Sequence, residues 1–479
     1  MCGIVGVREY HNPNLPSPAS VAGEALKALT NRGQDTTGIA INDHGEAFTL
    51  IGGPGTAEKV YDFEQLASFA GRVAIGENRY TTDGDPGWVQ PTYENDGTLS
   101  IVHNGNLSHP DRLIEDMQRL GIDTSRANDT QLASRRLAWD VKRGVPLEEA
   151  MANLFSLIAD AGSFCIIAAD QNGTMAAMRD PKATQPLVVA EKNGGYVVAS
   201  ETNALDAVGI KCELDNEMSV WRDVEPGELL VFDDSGMRSI QLAEGHYATC
   251  SLNFIYVAHD NSILYHQRVR KIRHNIGRQL AIEHPPIGGL VMPVPNTANP
   301  YAEGYVEQAL KDGLPVELVH LLDIPNEAKG LRTFMQPTPE MRLDGARKKF
   351  QVRNGAILPE ELTVIDDSII RGNVQSVLNK LLRRLGVKQI HVRIGSPPAR
   401  WPNRQGVATS EQEELVAYDR DVDGVRRYID ADSLGHVSLA GLVAGINPPE
   451  GYTISTPDFT GESAITGAYT RQPKRLVEV

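Results

Sequence analysis

Residues 1–7 read MCGIVGV. A thiol stands directly behind the initiating methionine, followed by glycine and a short apolar run that reads as a strand. Chain ends usually fray, so a reactive side chain at this place needs such a strand to hold it. The aminopeptidase that removes an initiating methionine acts when the second residue is small, and cysteine qualifies. Cys2 then carries a free α-amino group, whose reference pKa of about 8 lets it serve as a base beside the thiol. One residue supplies both nucleophile and base, and its position matters more than any surrounding motif.

The 479 residues are long for one domain, and two is the natural expectation. Hydrophobic residues make up 41% and charged residues 23%, an ordinary globular balance. The net charge of −16 argues against a nucleic-acid or anionic-membrane partner, yet leaves room for a local basic pocket holding a small phosphate ligand. The four cysteines, at 2, 165, 212 and 250, form no CxxC pair, which speaks against a zinc ribbon or redox motif. They are too few for a disulfide scaffold, so a cytoplasmic location is expected. MCGIVGVREYHNPN has no basic start followed by an apolar core, so no signal peptide is expected. No stretch approaches the roughly 18 apolar residues of a membrane span.

The first half is rich in strands and hairpins. CGIVGV, GIAINDHGEAFTLIGG with a turn at Asp43-His44-Gly45, LSIVHNGNL, GSFCIIAADQNGTMAAMRD with a turn at Asn172-Gly173, and GGYVVASE all read so. Helical patterns lie near 18–30, 110–120 and 130–143. Stacked sheets with helical layers outside are expected. After about residue 250 the rhythm changes to strands alternating with helices. GGLVMPVP, YAEGYVEQALKDG and LPVELVHLL are followed by LTVID, GNVQSVLNKLLRRLG and VKQIHVRIG. This βαβ order predicts a parallel sheet. In the helix after Gly372, Val374, Val377, Leu378, Leu381, Leu382 and Leu385 form a core-facing stripe, and Gly386 is a suitable stop. From about Asn447 the chain is polar and rich in Gly, Pro and Thr, and reads as loosely ordered.

Behind Cys2-Gly3-Ile4 come NRGQDTTGIA at 31–40, NRYTTDG at 78–84, HNGNL at 103–107 and NDTQ at 128–131. In this order they resemble the glutaminase domain of the N-terminal-nucleophile amidotransferases. The resemblance implies hydrolysis of glutamine's side-chain amide through a tetrahedral oxyanion. The Asn104 side chain and the Gly105 backbone N–H would be its oxyanion hole. Arg79 would take the α-carboxylate of glutamine by a paired hydrogen bond, and Asp129 its α-ammonium.

In the second half stands VIDDSIIRGNVQS, 364–376. An apolar strand runs into Asp366 and Asp367, and a short loop then opens a helix, the kind of place where α/β sheets bind phosphate. The frame resembles the phosphoribosylpyrophosphate (PRPP) motif of the type I phosphoribosyltransferases. With both motifs in one chain, the sequence resembles the amidophosphoribosyltransferase family. RDP at 179–181, ASET at 199–202, PGE at 226–228, IYVAHDNS at 255–262, RTFMQPT at 332–338, GSPP at 395–398 and ADSLGHVS at 431–438 extend the likeness over most of the chain.

This resemblance implies a four-layer αββα sandwich over 2–245, a parallel-sheet transferase domain over 246–450 and a tail over 451–479. Ammonia released at Cys2 would pass internally to PRPP, giving 5-phosphoribosylamine, pyrophosphate and glutamate, the first step of de novo purine synthesis. Asp366, Asp367, Ser368, Arg371, Gly372 and Asn373 would bind PRPP. Lys329 and Arg332, in the segment 326–335, would reach its pyrophosphate. Mg²⁺ would be held by Thr297, Asp366 and Asp367. The resemblance also implies a homo-oligomer, dimer or tetramer, and inhibition by purine nucleotides.

The departures cluster in the transferase half. The pyrophosphate loop reads PNTAN, 295–299, where the family has PDSG, and RGTTS becomes RGNVQS. Leu252-Asn253-Phe254 and His259-Asp260 replace other family residues, and NRGQD lacks the usual preceding histidine. Some members hold an iron–sulfur cluster on four cysteines. Here Cys250 matches one ligand position, Asn403 stands at another, and no cysteine follows 250, so no cluster is expected. Two further readings fit these departures: a paralogue aminating another phosphosugar or specialised metabolite, and a glutaminase with a non-catalytic transferase half.

Overall fold

Every residue of the Gly3–Arg8 strand is buried, because both of its faces are covered. Val5 and Val7 pack beneath a helical layer, while Ile4 packs against a second sheet. This explains an apolar run where a half-exposed strand would alternate. The computed structural model describes the chain apart from residues 11–13, 43–44, 82–86, 95, 215–219, 326–349, 354–357, 406–410, 464–466 and 469–479.

Gly3–Arg8 is the middle strand of a seven-stranded antiparallel sheet. The order is Trp221–Asp223, Val188–Lys192, Gly195–Ala199, Gly3–Arg8, Val73–Arg79, Thr36–Asn42 and Thr49–Pro54. A six-stranded antiparallel sheet stacks on it, in the order Gly236–Gln241, Glu228–Asp233, Met175–Arg179, Ser163–Asp170, Leu99–Asn106 and Thr92–Glu94. Ile4, Ile75, Val102, Ile167 and Leu230 fill the space between them. At Gly6 the sheets approach so closely that a Cβ would stand 2.8 Å from Met175 Sδ and 2.9 Å from Ile167 Cγ2.

Helix Pro18–Ala28, started by a capping box between Ser17 and Ser20, covers the outer face of the first sheet. Helices Asp111–Arg119, Asp129–Val141 and Leu147–Ile158 cover that of the second. The result is the expected four-layer αββα sandwich. The Asn172-Gly173 turn joins Ser163–Asp170 to Met175–Arg179, with Gly173 at φ 80°. Asp43 and His44 of the other expected turn lie outside the described residues.

Five parallel strands form the other main sheet: Glu317–Leu318, Leu290–Pro293, Glu361–Asp366, Gln389–Ile394 and Ser433–His436. In chain order this is 2-1-3-4-5. The winding reverses between Leu290–Pro293 and Glu361–Asp366, and such a switch point opens a crevice at the carboxyl ends of its strands. Helices Val269–Glu283, Asn299–Lys311 and Leu439–Ile446 cover one face, Asn373–Arg384 and Val422–Tyr428 the other.

In Asn373–Arg384, Leu378 and Leu382 are buried, but Leu385, at the end of the expected stripe, is 44% exposed. Part of the inner face is polar instead. Gln375 Nε2 donates to Asn379 Oδ1 at 2.8 Å, and Asn379 Nδ2 donates to the Ile429 carbonyl at 2.7 Å.

The expectation of a loosely ordered segment from Asn447 is corrected over 452–462. Thr453–Ser455 pairs in parallel with Ala248–Cys250, and Tyr452 stacks on Tyr247 with centroids 4.2 Å apart. Asp458 is 1% exposed and accepts a bond from Asn403 Nδ2 at 2.9 Å. Partners 55 to about 200 residues away in the chain satisfy a stretch that is too polar to form a core of its own.

Candidate active site

Cys2 sits at the entry of the central strand, and Asn104 lies in Leu99–Asn106 of the second sheet. The two meet across the stacked sheets: Cys2 N donates to Asn104 Oδ1 at 3.1 Å. The amide's other end, Nδ2, is buried with no hydrogen-bond partner among the described residues. A buried donor left this way costs about 1–3 kcal/mol unless something arrives to accept from it. Beside it, Gly105 has no room for a side chain, since a Cβ would lie 2.0 Å from the Ser163 carbonyl oxygen.

Arg79 ends the Val73–Arg79 strand and is 4% exposed. It donates to the Trp88 carbonyl at 3.1 Å and lies over the Trp88 ring, 5.5 Å from the centroid. Asp129 opens the Asp129–Val141 helix, which Asn128 caps. Its carboxylate accepts from Leu107 N at 3.2 Å and Thr130 N at 2.8 Å, tying the strand that bears Asn104 to the helix start. His103 Nδ1 lies 3.7 Å from Asp129 Oδ2 and 3.1 Å from Thr130 Oγ1. Burial lowers the imidazole's proton affinity, so the ring is neutral near pH 7.

Three residues here went unassigned in the sequence reading. Glu77, one strand over from Ile4, accepts from His103 N at 3.1 Å and acts electrostatically on the Cys2 thiol. Burial pushes its carboxyl up to about 7. Burial, then the Glu77 charge, pushes the thiol well above its ordinary range, so Cys2 rests as S–H. Arg32 donates through Nε to the Cys2 carbonyl at 3.0 Å and pairs through Nη1 with Glu201 at 2.6 Å. Glu201 in turn accepts from Asn31 Nδ2 at 2.9 Å, His259 N at 2.8 Å and Ser262 Oγ at 2.6 Å. Arg32 Nη2 also donates to Asn253 Oδ1 at 3.3 Å. The motifs NRGQD, ASET and IYVAHDNS thus meet in one buried network behind the nucleophile. Their presence as motifs was the available signal.

A second constellation lies at the switch point of the parallel sheet. Val294 N donates to the Ile365 carbonyl at 2.8 Å, which sets the loop bearing Thr297 beside the loop bearing Asp366 and Asp367. Asp366 Oδ1 accepts from Asp367 N at 2.9 Å, and Ser368 Oγ donates to Asp367 Oδ1 at 2.7 Å. Arg371 Nε pairs with Glu414 Oε2 at 2.6 Å. Gly372 is the N-cap of Asn373–Arg384, at φ 75°, with the Tyr428 ring 2.9 Å from where a Cβ would stand. Tyr428 OH donates to Asn373 Oδ1 at 3.1 Å, so the departure at 373 has a partner of its own. Lys329 and Arg332 lie outside the described residues.

Among the described residues no group of three or more His, Cys, Asp or Glu side chains gathers as a metal site. Two carboxylates and the Thr297 hydroxyl are hard oxygen donors, and Mg²⁺ commonly takes one or two carboxylates with the rest of its shell from water and substrate phosphate. The donor set fits such an ion. Elsewhere, Asn403 Nδ2 lies 3.6 Å from Cys250 Sγ, an amide against a thiol.

Known proteins resemble this chain over nearly its whole length. Residues 77–207 match the model of the glutamine amidotransferase domain family. The chain is 35% identical to an amidophosphoribosyltransferase of Mycobacterium bovis over 97% of its own length and 86% of that protein. It is 33% identical to the amidophosphoribosyltransferase of Bacillus subtilis over 93% of its own length and 89% of the other. Among solved structures, the B. subtilis glutamine PRPP amidotransferase complexed with ADP and GMP superposes with a TM-score of 0.81 at 30% identity, covering 98% of this chain and 99% of that one.

Proposed function

The chain belongs to the amidophosphoribosyltransferase family, and we infer that it hydrolyses glutamine and transfers the ammonia to PRPP, forming 5-phosphoribosylamine, pyrophosphate and glutamate. This is the entry reaction of purine biosynthesis. The observation that carries the first half is the Asn104 amide, with its oxygen on the Cys2 nitrogen and its buried Nδ2 unengaged. The same chain carries an acidic pair at the switch point of its parallel sheet.

Once Met1 is removed, the nitrogen on Asn104 Oδ1 is the Cys2 α-amine. Sulfur attacks the amide carbon of glutamine, and the oxyanion accepts from Asn104 Nδ2 and Gly105 N–H. The α-ammonium of Cys2 protonates the departing nitrogen. Arg79 and Asp129 take the α-carboxylate and α-ammonium of the substrate. In the transferase half, Asp366 and Asp367 face the ribose hydroxyls, and Ser368, Arg371, Gly372 and Asn373 hold the 5′-phosphate at the helix start. Lys329 and Arg332 are assigned to binding the pyrophosphate. Thr297, Asp366 and Asp367 would hold Mg²⁺, which supplies charge neutralisation for the departing pyrophosphate. The glutaminase domain is assigned to 2–245 and the transferase to 246–450. The ADP and GMP in the B. subtilis structure support inhibition of this chain by purine nucleotides. A cytoplasmic homo-oligomer, dimer or tetramer, completes the reading.

The test is purified protein with glutamine, Mg²⁺ and PRPP, after mass spectrometry has verified that Met1 is gone. Glutamate and pyrophosphate should appear in equal amounts. Glutamate without PRPP consumption would overturn the transfer step. Cys2→Ala should abolish glutamine use and keep activity with high external ammonia.

A further inference from the structure

His103 precedes Asn104 and Gly105 in Leu99–Asn106, where successive side chains point to opposite faces. Val102 belongs to the core between the sheets, the side on which Asn104 meets Cys2. Leu99 and Ile101 belong to the core under the helices, and His103 shares their face. Its buried ring meets the start of Asp129–Val141, with Nδ1 3.1 Å from Thr130 Oγ1 and 3.7 Å from Asp129 Oδ2. A carboxylate oxygen can only accept, so the ring proton belongs on Nδ1. Asp129 Oδ1 accepts from Thr130 N at 2.8 Å and from the Thr130 hydroxyl at 3.5 Å, and Oδ2 accepts from Leu107 N at 3.2 Å. Both ends of the segment 103–107 are therefore fastened to Asp129 and Thr130, with the Asn104 and Gly105 donors between them. The Asp129 side chain still keeps 25% of its surface exposed, so one edge of the carboxylate is open to a ligand.

We propose that His103 is a positioning residue for glutamine: its Nδ1, acting through the Thr130 hydroxyl, holds the Asp129 carboxylate in register with the Asn104 and Gly105 donors. The assignment rests on Asp129 as the acceptor of the substrate's α-ammonium. Glutamine's amide and its α-carbon are a fixed chain length apart, so a site that grips both ends must keep its own two ends at a matching distance. His103 touches no substrate and sets that distance from behind. A neutral ring suits the task. Burial lowers its proton affinity, so it orients the carboxylate by hydrogen bonding and leaves the whole negative charge to the incoming ammonium. A lysine or arginine in its place would pair with Asp129 and compete with the substrate.

The experiment uses full-length protein lacking Met1, assayed for hydrolysis of glutamine and of glutaramate, which is glutamine without its α-amino group. His103→Phe keeps a buried ring and removes both nitrogens. KM for glutamine should rise roughly tenfold or more, the loss expected for a hydrogen bond serving a charged group. Its kcat should stay within about threefold of the parent, because the ammonium contact is made equally in ground and transition states. On glutaramate, kcat/KM should agree with the parent within about threefold, since that substrate brings nothing for Asp129 to hold. His103→Asn places an amide nitrogen where Nδ1 stands and should restore KM, whereas His103→Gln places it where Nε2 stands and should not. An unchanged KM for glutamine in His103→Phe, or an equal loss on both substrates, would overturn the proposal. If His103→Phe fails to fold, Thr130→Val decides: it removes the hydroxyl between ring and carboxylate, and an unmoved KM for glutamine overturns the assignment. Should Asp129→Asn leave the preference for glutamine over glutaramate intact, it is the underlying reading of Asp129 that falls.

Discussion

The Arg32 guanidinium and the Glu201 carboxylate pair at 2.6 Å with no solvent reaching either side chain. Because Arg32 also holds the Cys2 carbonyl, the nucleophile's backbone is anchored to a buried charge pair. Arg32→Met would strand Glu201 as an uncompensated charge, at a cost of about 3–5 kcal/mol. The melting temperature should fall clearly, with loss of glutamine use. Burial alone would push the Glu201 carboxyl up, but Arg32, Ser262 and the His259 amide together hold it below its ordinary value of 4.5. A depressed carboxyl lends stability that is fully present above the ordinary value and lost as pH falls through the folded one. Melts titrated downward from pH 5 should therefore lose stability more steeply in the parent than in Glu201→Gln.

Asn104→Ala removes the unengaged Nδ2 donor and the acceptor for the Cys2 nitrogen together. Loss of one oxyanion donor typically costs about 10²–10³ in kcat. Steady-state glutamine kinetics should show at least that loss, while ammonia-dependent turnover stays near the parent value.

At the other site, Asp366→Asn removes a charge and keeps the shape that accepts from Asp367 N. PRPP turnover with ammonia should fall, with a higher Mg²⁺ requirement, while glutamine hydrolysis remains measurable. Parallel loss of both activities would contradict two separate sites. A pyrophosphate-release assay beside a glutamate assay separates these outcomes.

Asp458 gives a pH dependence of the opposite sign. Burial pushes its carboxyl up from 3.8 to about 7, with Asn403 opposing. The folded state then binds the proton more tightly than the unfolded one, so stability falls as pH rises through that window. Asp458→Asn keeps the shape and removes the titration. Its unfolding free energy should exceed the parent's at pH 8, by an amount on the order of a few kcal/mol at most, and match it near pH 4.

Local periodicity made much of the fold legible. The doubly buried run Ile4–Val7, the hairpins and the helical stripes report which faces are covered, and the strand–helix alternation after 250 reports a parallel sheet. The same signal is present in Leu147–Ile158, where Leu147, Ala150, Met151, Leu154, Phe155 and Ile158 are buried. Cys2 was singled out by its place behind Met1, and Asn104, Gly105, Asp366 and Asp367 by the motifs that carry the family resemblance. Glu77 was not, because a charge inside an apolar stretch declares a role only once its tertiary partners are known, and Arg32 was quoted only as part of NRGQD. Thr453–Ser455 was misread for a related reason, since its polar composition is satisfied by Ala248–Cys250, far away in sequence.

That same pairing sets a timetable for biosynthesis. Ala248–Cys250 leaves the ribosome about 200 residues before the strand that docks on it, an interval of roughly ten to forty seconds at ordinary elongation rates. Until Thr453–Ser455 emerges, a nascent polypeptide carries both of its halves with the Ala248–Cys250 edge unpaired. A chain that ends before this strand leaves the Ala248–Cys250 edge without its partner.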